Sequence, residues 1–210
     1  RPPMLQLVAQ STKNSATVRY ADVFSPKILQ EYGLFLEHYA VVRDHWDSGA
    51  VTLVHGDAHL GNYFFVEELE EGEIIKTTAR MYDFQCTAHE HPIRDVAYHI
   101  ICSVDEGVID DYGGDKRLLQ FYLDKFNANM GQREASSGRS STEYLSFDEA
   151  WSQYRLHSFW VLAAFVISAG AGDLFDFDKA QFTIGRIVRG CERVNAGEEL
   201  HRLLRESGRV

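Results

Sequence analysis

Apolar residues recur at helical spacing through most of the chain and alternate in short runs only between residues 51 and 85. Ser25-Pro26 offers an N-cap followed by proline at the first helical position, and Ile28, Leu29, Tyr32, Leu36, Tyr39 and Val42 then fall on one stripe. That pattern predicts a helix over about 26–46. Residues 1–24 carry no clear period; Leu5–Val8 and Ala16–Tyr20 read as short strands or irregular coil, an irregular lead-in. Leu53-Val54 and Tyr63–Val66 read as strands. The acidic run Glu67–Glu73 reads as a solvated hairpin tip, and Ile74–Tyr82 as the returning strand.

Beyond residue 90 the helical period takes over. Pro92 starts a helix with Ile93, Val96, Ala97 and Ile100 on one face. Asp115 caps another carrying Leu119, Tyr122, Leu123, Phe126 and Met130, with Gly131 as its stop. Gln132–Thr142, polar and Ser-rich, reads as a flexible loop. A strongly apolar helix spans Phe147–Ala169 and breaks at Ser168–Gly172. Asp176 or Asp178 starts the next, and a last one follows Gly190 and ends near Arg205. The pattern predicts an α+β, mainly helical fold whose small β-hairpin region sits in the first half, in one domain of 210 residues.

The chemistry concentrates where the period changes. HGDAHLGN places Asp57 two residues and Asn62 seven residues after His55, the spacing of the kinase catalytic loop H-R-D-x-x-x-x-N. Asp83-Phe84-Gln85 ends the second apolar run, where a kinase carries D-F-G. Such chemistry needs one carboxylate to take or orient a hydroxyl proton, and further oxygen ligands to hold Mg²⁺ against phosphates.

HGDAHLGN followed by YDFQ resembles the H-G-D-x-H-x-x-N and I-D-F/W motifs of the aminoglycoside phosphotransferase and choline kinase superfamily, and the Gln after Asp83-Phe84 leans toward its ecdysteroid-kinase-like branch. The resemblance covers Thr52–Val104. It implies a protein-kinase-like C-lobe that uses ATP and Mg²⁺ to phosphorylate a hydroxyl of a small molecule. Carried over by position, it implies Asp57 as catalytic base, Asn62 and Asp83 as metal ligands, and His59 as a cofactor-binding residue or loop brace. It further implies His55 and Asp95 as structural supports of the loop, and an acceptor pocket among the C-terminal helices. Trp151, Tyr154, Trp160, Asp173, Asp176 and Asp178 are candidates there, although core packing at helical spacing and turn and cap chemistry account for them more simply. The branch favours a hydrophobic alcohol as acceptor.

The 54 residues ahead of His55 contain no glycine before Gly33 and only Lys13 and Lys27. They therefore offer neither a Gly-rich phosphate loop nor a strand lysine held by a helical Glu. The chain reads as a C-lobe whose N-lobe is truncated, encoded elsewhere or lost. Partnership with an N-lobe-bearing chain, or self-association, is the expectation. Two other function classes stay open: a kinase-like module that binds without transferring, and a metal-dependent hydrolase assembled from His55, Asp57, His59, His89, His91 and His99.

Charge and cysteines trim the picture. A formal charge of −10 disfavours nucleic-acid and anionic-membrane partners. The longest apolar run, Phe159–Ile167, is too short to span a bilayer. Cys86, Cys102 and Cys191 form no C-x-x-C pair, which fits a reducing, cytoplasmic setting.

Overall fold

The computed structural model describes residues 4–135, 144–170 and 176–209. Helices α1 (Met4–Arg19), α2 (Pro26–Glu37) and α3 (Tyr39–Trp46) lead into β1 (Thr52–Val54). Strands β2 (Tyr63–Glu70), β3 (Glu73–Met81) and β4 (Ala88–Glu90) follow. The remainder is helical: α4 (Ile93–Ser103), α5 (Glu106–Asp111), α6 (Asp115–Ala135), α7 (Phe147–Gly170), α8 (Phe177–Arg193) and α9 (Ala196–Glu206). The fold is α+β and mainly helical, with two small antiparallel sheets, β1–β4 and β2–β3.

Helix α7 is the axis of the core. Tyr154, Leu156, Phe159, Val161, Leu162 and Val166 are buried around its circumference, so it is apolar on every face and must be enclosed. Helices α1, α4, α6, α8 and α9 pack around it. Phe159 stacks on Phe35 of α2 with ring centroids 5.3 Å apart.

Several boundaries differ from the sequence expectation. Residues 4–19 are helix, not strand or coil, because Ala9 and Ala16 are buried on a stripe of small residues. At the crossing of α1 with α7, a Cβ on Gly170 would lie 2.7 Å from the Thr12 carbonyl oxygen. The helix expected over 26–46 is two helices, broken at His38 (φ −104°, ψ 22°). Gly131 does not stop α6, whose backbone runs on to Ala135, and the rest of the loop expected at 132–142 lies outside the described residues; the break expected at 168–172 does not begin at Ser168, since α7 runs on to Gly170, and its last two residues lie outside the described ones. Gly190 lies inside α8, where a Cβ would come 3.0 Å from Ile101 Cγ2 of α4. The turn comes instead at Asn195, in the left-handed region (φ 52°). Three starts are as expected: Ser25 accepts from Ile28 N–H at 3.2 Å, Asp176 accepts from Lys179 N–H at 3.1 Å, and Pro92 precedes α4.

The C-terminal helix is fastened by charge. Glu199 is buried and accepts from Arg155 Nη1 at 2.8 Å, from Ser152 Oγ at 2.6 Å and from Arg202, joining α9 to α7. Burial opposes its ionisation, but the Arg202 and Ser152 hydrogen bonds and the two arginine charges prevail, holding the carboxyl below its ordinary range. Glu199→Ala leaves the largely buried Arg155 without that counter-charge. It is expected to cost about 3 kcal/mol, read as a lowered urea midpoint at unchanged slope.

Candidate active site

The site forms where β1 ends and the chain turns. His55 is buried, and its ring is held at both nitrogens: Nε2 lies 2.8 Å from the Tyr82 carbonyl, and Nδ1 accepts from Asp57 N–H at 3.3 Å. This pairing requires the neutral tautomer protonated at Nε2. Gly56 has φ +82°, and a Cβ there would lie 2.1 Å from the Cys86 carbonyl oxygen, so the turn after β1 and the turn after β3 are packed backbone to backbone. From the first turn of α4, Asp95 accepts from His55 N–H at 2.6 Å and Gly56 N–H at 2.9 Å. One carboxylate thereby pins two consecutive amides of the loop.

Asp57 is half-buried at the centre. Asn62 Nδ2 donates both to its carbonyl at 2.8 Å and to its Oδ2 at 3.1 Å. With two oxygens facing one end of the amide, that end must be the nitrogen, and Asn62 Oδ1 faces the other way. His59 Nε2 lies 3.5 Å from Asp57 Oδ2, while its Nδ1 accepts from Gly61 N–H at 3.0 Å. Tyr98 of α4 lies beside the same carboxylate; burial first, then the Asp57 charge, push its phenol far above the ordinary range. Tyr98 therefore keeps its proton. Ser103 Oγ accepts from Leu60 N–H at 2.8 Å, and Ala58 O lies 3.2 Å from His99 Nδ1, so α4 supports the whole loop.

Asp83 sits in the facing turn. The β2–β3 ladder pairs Tyr63 with Met81, and Tyr82 N–H donates to the Asn62 carbonyl at 3.0 Å, which brings the Asp83 turn alongside the Asn62 turn. Asp83 is exposed, with φ 62°, uncommon for a residue other than glycine. Its carboxylate accepts from Gln85 Nε2 at 3.5 Å and makes no hydrogen bond to Asn62.

As a donor set, the free amide oxygen of Asn62 and the exposed carboxylate of Asp83 suit a hard, oxygen-seeking cation such as Mg²⁺. Among the described residues no three His, Cys, Asp or Glu side chains gather as a metal cluster. The histidines of the hydrolase alternative are dispersed: His55 and His99 face backbone carbonyls, His89 is exposed on β4, and His91 lies against Glu149 at 3.7 Å.

Buried His91 has its pKa pushed down to about 4 by burial and by His45, and burial holds His157 well below the ordinary 6.5. The unfolded chain therefore takes up protons that the native state refuses. The stability these rings contribute is complete above about pH 6.5 and falls as the pH drops toward 4. At about 1.4 kcal/mol per pKa unit, His91 alone accounts for about 3 kcal/mol across that window. Urea midpoints should fall between pH 7 and 4.5, and His91→Gln should flatten that slope.

Asp57 opens onto a cavity of about 410 Å³ whose far walls include Tyr98, Cys102, Phe165, Thr183 and Arg186 from α4, α7 and α8. The aromatic candidates read from sequence lie elsewhere. Tyr154 is a core residue bonded to Asp115 at 2.7 Å, Trp160 underlies Arg94 at 4.1 Å, and Trp151 stacks on Tyr154. Asp176 is a helix cap and Asp173 falls outside the described residues. Tyr98 had a readable signal, lying three residues beyond Asp95 on the same helix face. Arg186 had none.

A loop holding His55, Asp57 and Asn62, pinned from a helix start and faced by an Asp-Phe-Gln turn, defines a kinase-like protein. A family model described as the ecdysteroid kinase-like family matches residues 6–133, and the chain belongs to that family. No curated protein and no solved structure matches it. No helix among the described residues is long and apolar enough to cross a membrane.

Proposed function

We propose that this chain carries the phosphoryl-transfer centre of an ATP-dependent small-molecule kinase acting on an alcohol. The observation behind this reading is Asp57. It is a half-buried carboxylate at the mouth of a cavity, fixed by Asn62 Nδ2, with its loop amides held by Asp95. Asn62 Oδ1 and Asp83 would hold Mg²⁺, which when bound neutralises phosphate charge. Asp57 orients the acceptor hydroxyl and receives its proton as the new oxygen–phosphorus bond forms and the bond to the ADP oxygen breaks. His59, beside Asp57 and half-exposed, is placed to meet the transferring phosphate or to brace the loop. The acceptor would occupy the cavity of Tyr98, Cys102 and Phe165, and the mixture of ring and hydroxyl there fits a largely apolar alcohol.

A second reading is ligand binding without transfer. It is favoured by the scarcity of phosphate-neutralising charge: among the described residues the one Arg or Lys lining this cavity is Arg186, 3.7 Å from Asp105. Phe64, Phe65, Leu69, Ile74 and Ile75 are exposed on the two sides of the β2–β3 hairpin, where a chain supplying such charge, or a second copy, would dock.

The two readings part on Mg²⁺-dependent ATP turnover with a panel of apolar alcohols, measured on the chain alone and joined to an N-lobe. Turnover abolished by Asp83→Ala supports the kinase. Silence in both formats, with alcohol binding retained, supports the binding module. Turnover that needs Zn²⁺ and no nucleotide would replace both with a hydrolase.

A further inference from the structure

A second cavity, of about 350 Å³, lies among α3, β4, α4 and α7, walled by Tyr39, Trp46, Arg94 and Trp160 with Glu90 at its edge. Its polar groups are unbalanced. Both acidic side chains in the walls are taken: Glu90 by Arg94 Nη1, and Asp47 by Arg43 at 3.8 Å. The donors are not. Among the described residues Trp46 Nε1, Trp160 Nε1 and Arg94 Nε are buried without a hydrogen-bond partner, and Trp46 is only 8% exposed.

Arg94 decides the chemistry. Its guanidinium carbon sits over the Trp160 ring, 4.1 Å from the centroid, with the side chain 11% exposed. Glu90 occupies Nη1 only. The opposite edge, Nε with Nη2, is the fork that grips a carboxylate or phosphate through two parallel N–H bonds, and nothing among the described residues engages it. Folded proteins rarely leave buried donors unpaired, and several of one sense around one cavity call for a ligand rich in acceptor oxygens.

We infer that this cavity is a second ligand site, distinct from the one at Asp57, that takes a small oxyanion-bearing molecule, its carboxylate or phosphate on the Nε–Nη2 edge of Arg94 and its body between the Tyr39, Trp46 and Trp160 rings. The site stands one residue from Asp95, which pins the loop at His55 and Gly56. It does not depend on phosphoryl transfer.

The chain has three tryptophans, two of them in these walls, so the indole N–H signals report directly. The ¹⁵N-labelled protein is titrated with sodium phosphate and, separately, sodium acetate, at constant ionic strength made up with chloride. Trp46→Phe, Trp160→Phe and Trp151→Phe assign the three peaks. Saturable shifts of the Trp46 and Trp160 signals, with Trp151 still, are expected for at least one anion; tighter phosphate marks a phosphorylated ligand and tighter acetate a carboxylate. Arg94→Lys keeps the charge but loses the fork, and should weaken binding about tenfold. The wild-type titration stands even if a variant fails to fold. No shift beyond chloride with either anion, movement of Trp151 alone, or equal affinity in Arg94→Lys would overturn the inference.

Discussion

Asp57→Asn is expected to lower Mg²⁺-dependent phosphoryl transfer by about 10²- to 10⁴-fold while leaving the protein folded. The substitution preserves shape and removes only the basic charge. An asparagine oxygen at the Oδ2 position still accepts from Asn62 Nδ2, now at 3.1 Å. The loop amides are untouched, because Asp95 holds His55 and Gly56 rather than residue 57. Steady-state turnover read beside the thermal midpoint separates the effects: kcat falls, Tm moves little. A variant within threefold of wild type would remove Asp57 from the chemistry.

Gly56→Ala should be the most damaging small substitution in the site. A side chain at φ +82° costs about 1–2 kcal/mol by itself. Here the added Cβ would also stand 2.1 Å from the Cys86 carbonyl oxygen and 2.9 Å from its carbon, and backbone cannot step aside as a side-chain tip can. Relief requires the turn after β1 to leave the turn after β3. That movement strains the His55–Tyr82 bond and the two amides on Asp95. A loss of about 3 kcal/mol or more in urea unfolding is expected, together with loss of Mg²⁺–nucleotide binding. Gly72→Ala is the control: its φ is +87°, but nothing lies within 4 Å, so it should show the conformational cost alone.

These two residues illustrate what can be read from a sequence. The kinase-like spacing of His55, Asp57 and Asn62 is local, and so are the caps at Ser25 and Asp176 and the hairpin, whose tip, read over Glu67–Glu73, is confined to Glu71-Gly72 because the strands pair through Glu70 and Glu73. Each is set by neighbours within a few positions. Family membership was equally legible, since the motifs that carry it are contiguous.

The features that escaped depend on distant partners. Helix α1 buries alanines against α7, and alanine stripes leave little trace in a hydrophobic period. Gly190 looked like a helix stop because glycine commonly ends helices, yet here it lets α8 approach Ile101 of α4. Helix α5 is only six residues long, too short to show a period. The lining of the cavity at Asp57 is tertiary throughout. Tyr98, Phe165 and Arg186 come from three helices, and the aromatic residues singled out in α7 turned out to serve the core or Arg94.

The account rests on Asn62 and Asp83 serving one divalent ion beside Asp57, and relaxation by Mn²⁺ in place of Mg²⁺ tests it most directly. Substoichiometric Mn²⁺–ATP added to the ¹⁵N-labelled chain should broaden the Asn62 side-chain amide and the Asp83 backbone amide together, and Asp83→Ala should abolish both effects. Broadening of one turn without the other, or of neither while other carboxylates respond, would contradict a shared metal–nucleotide site.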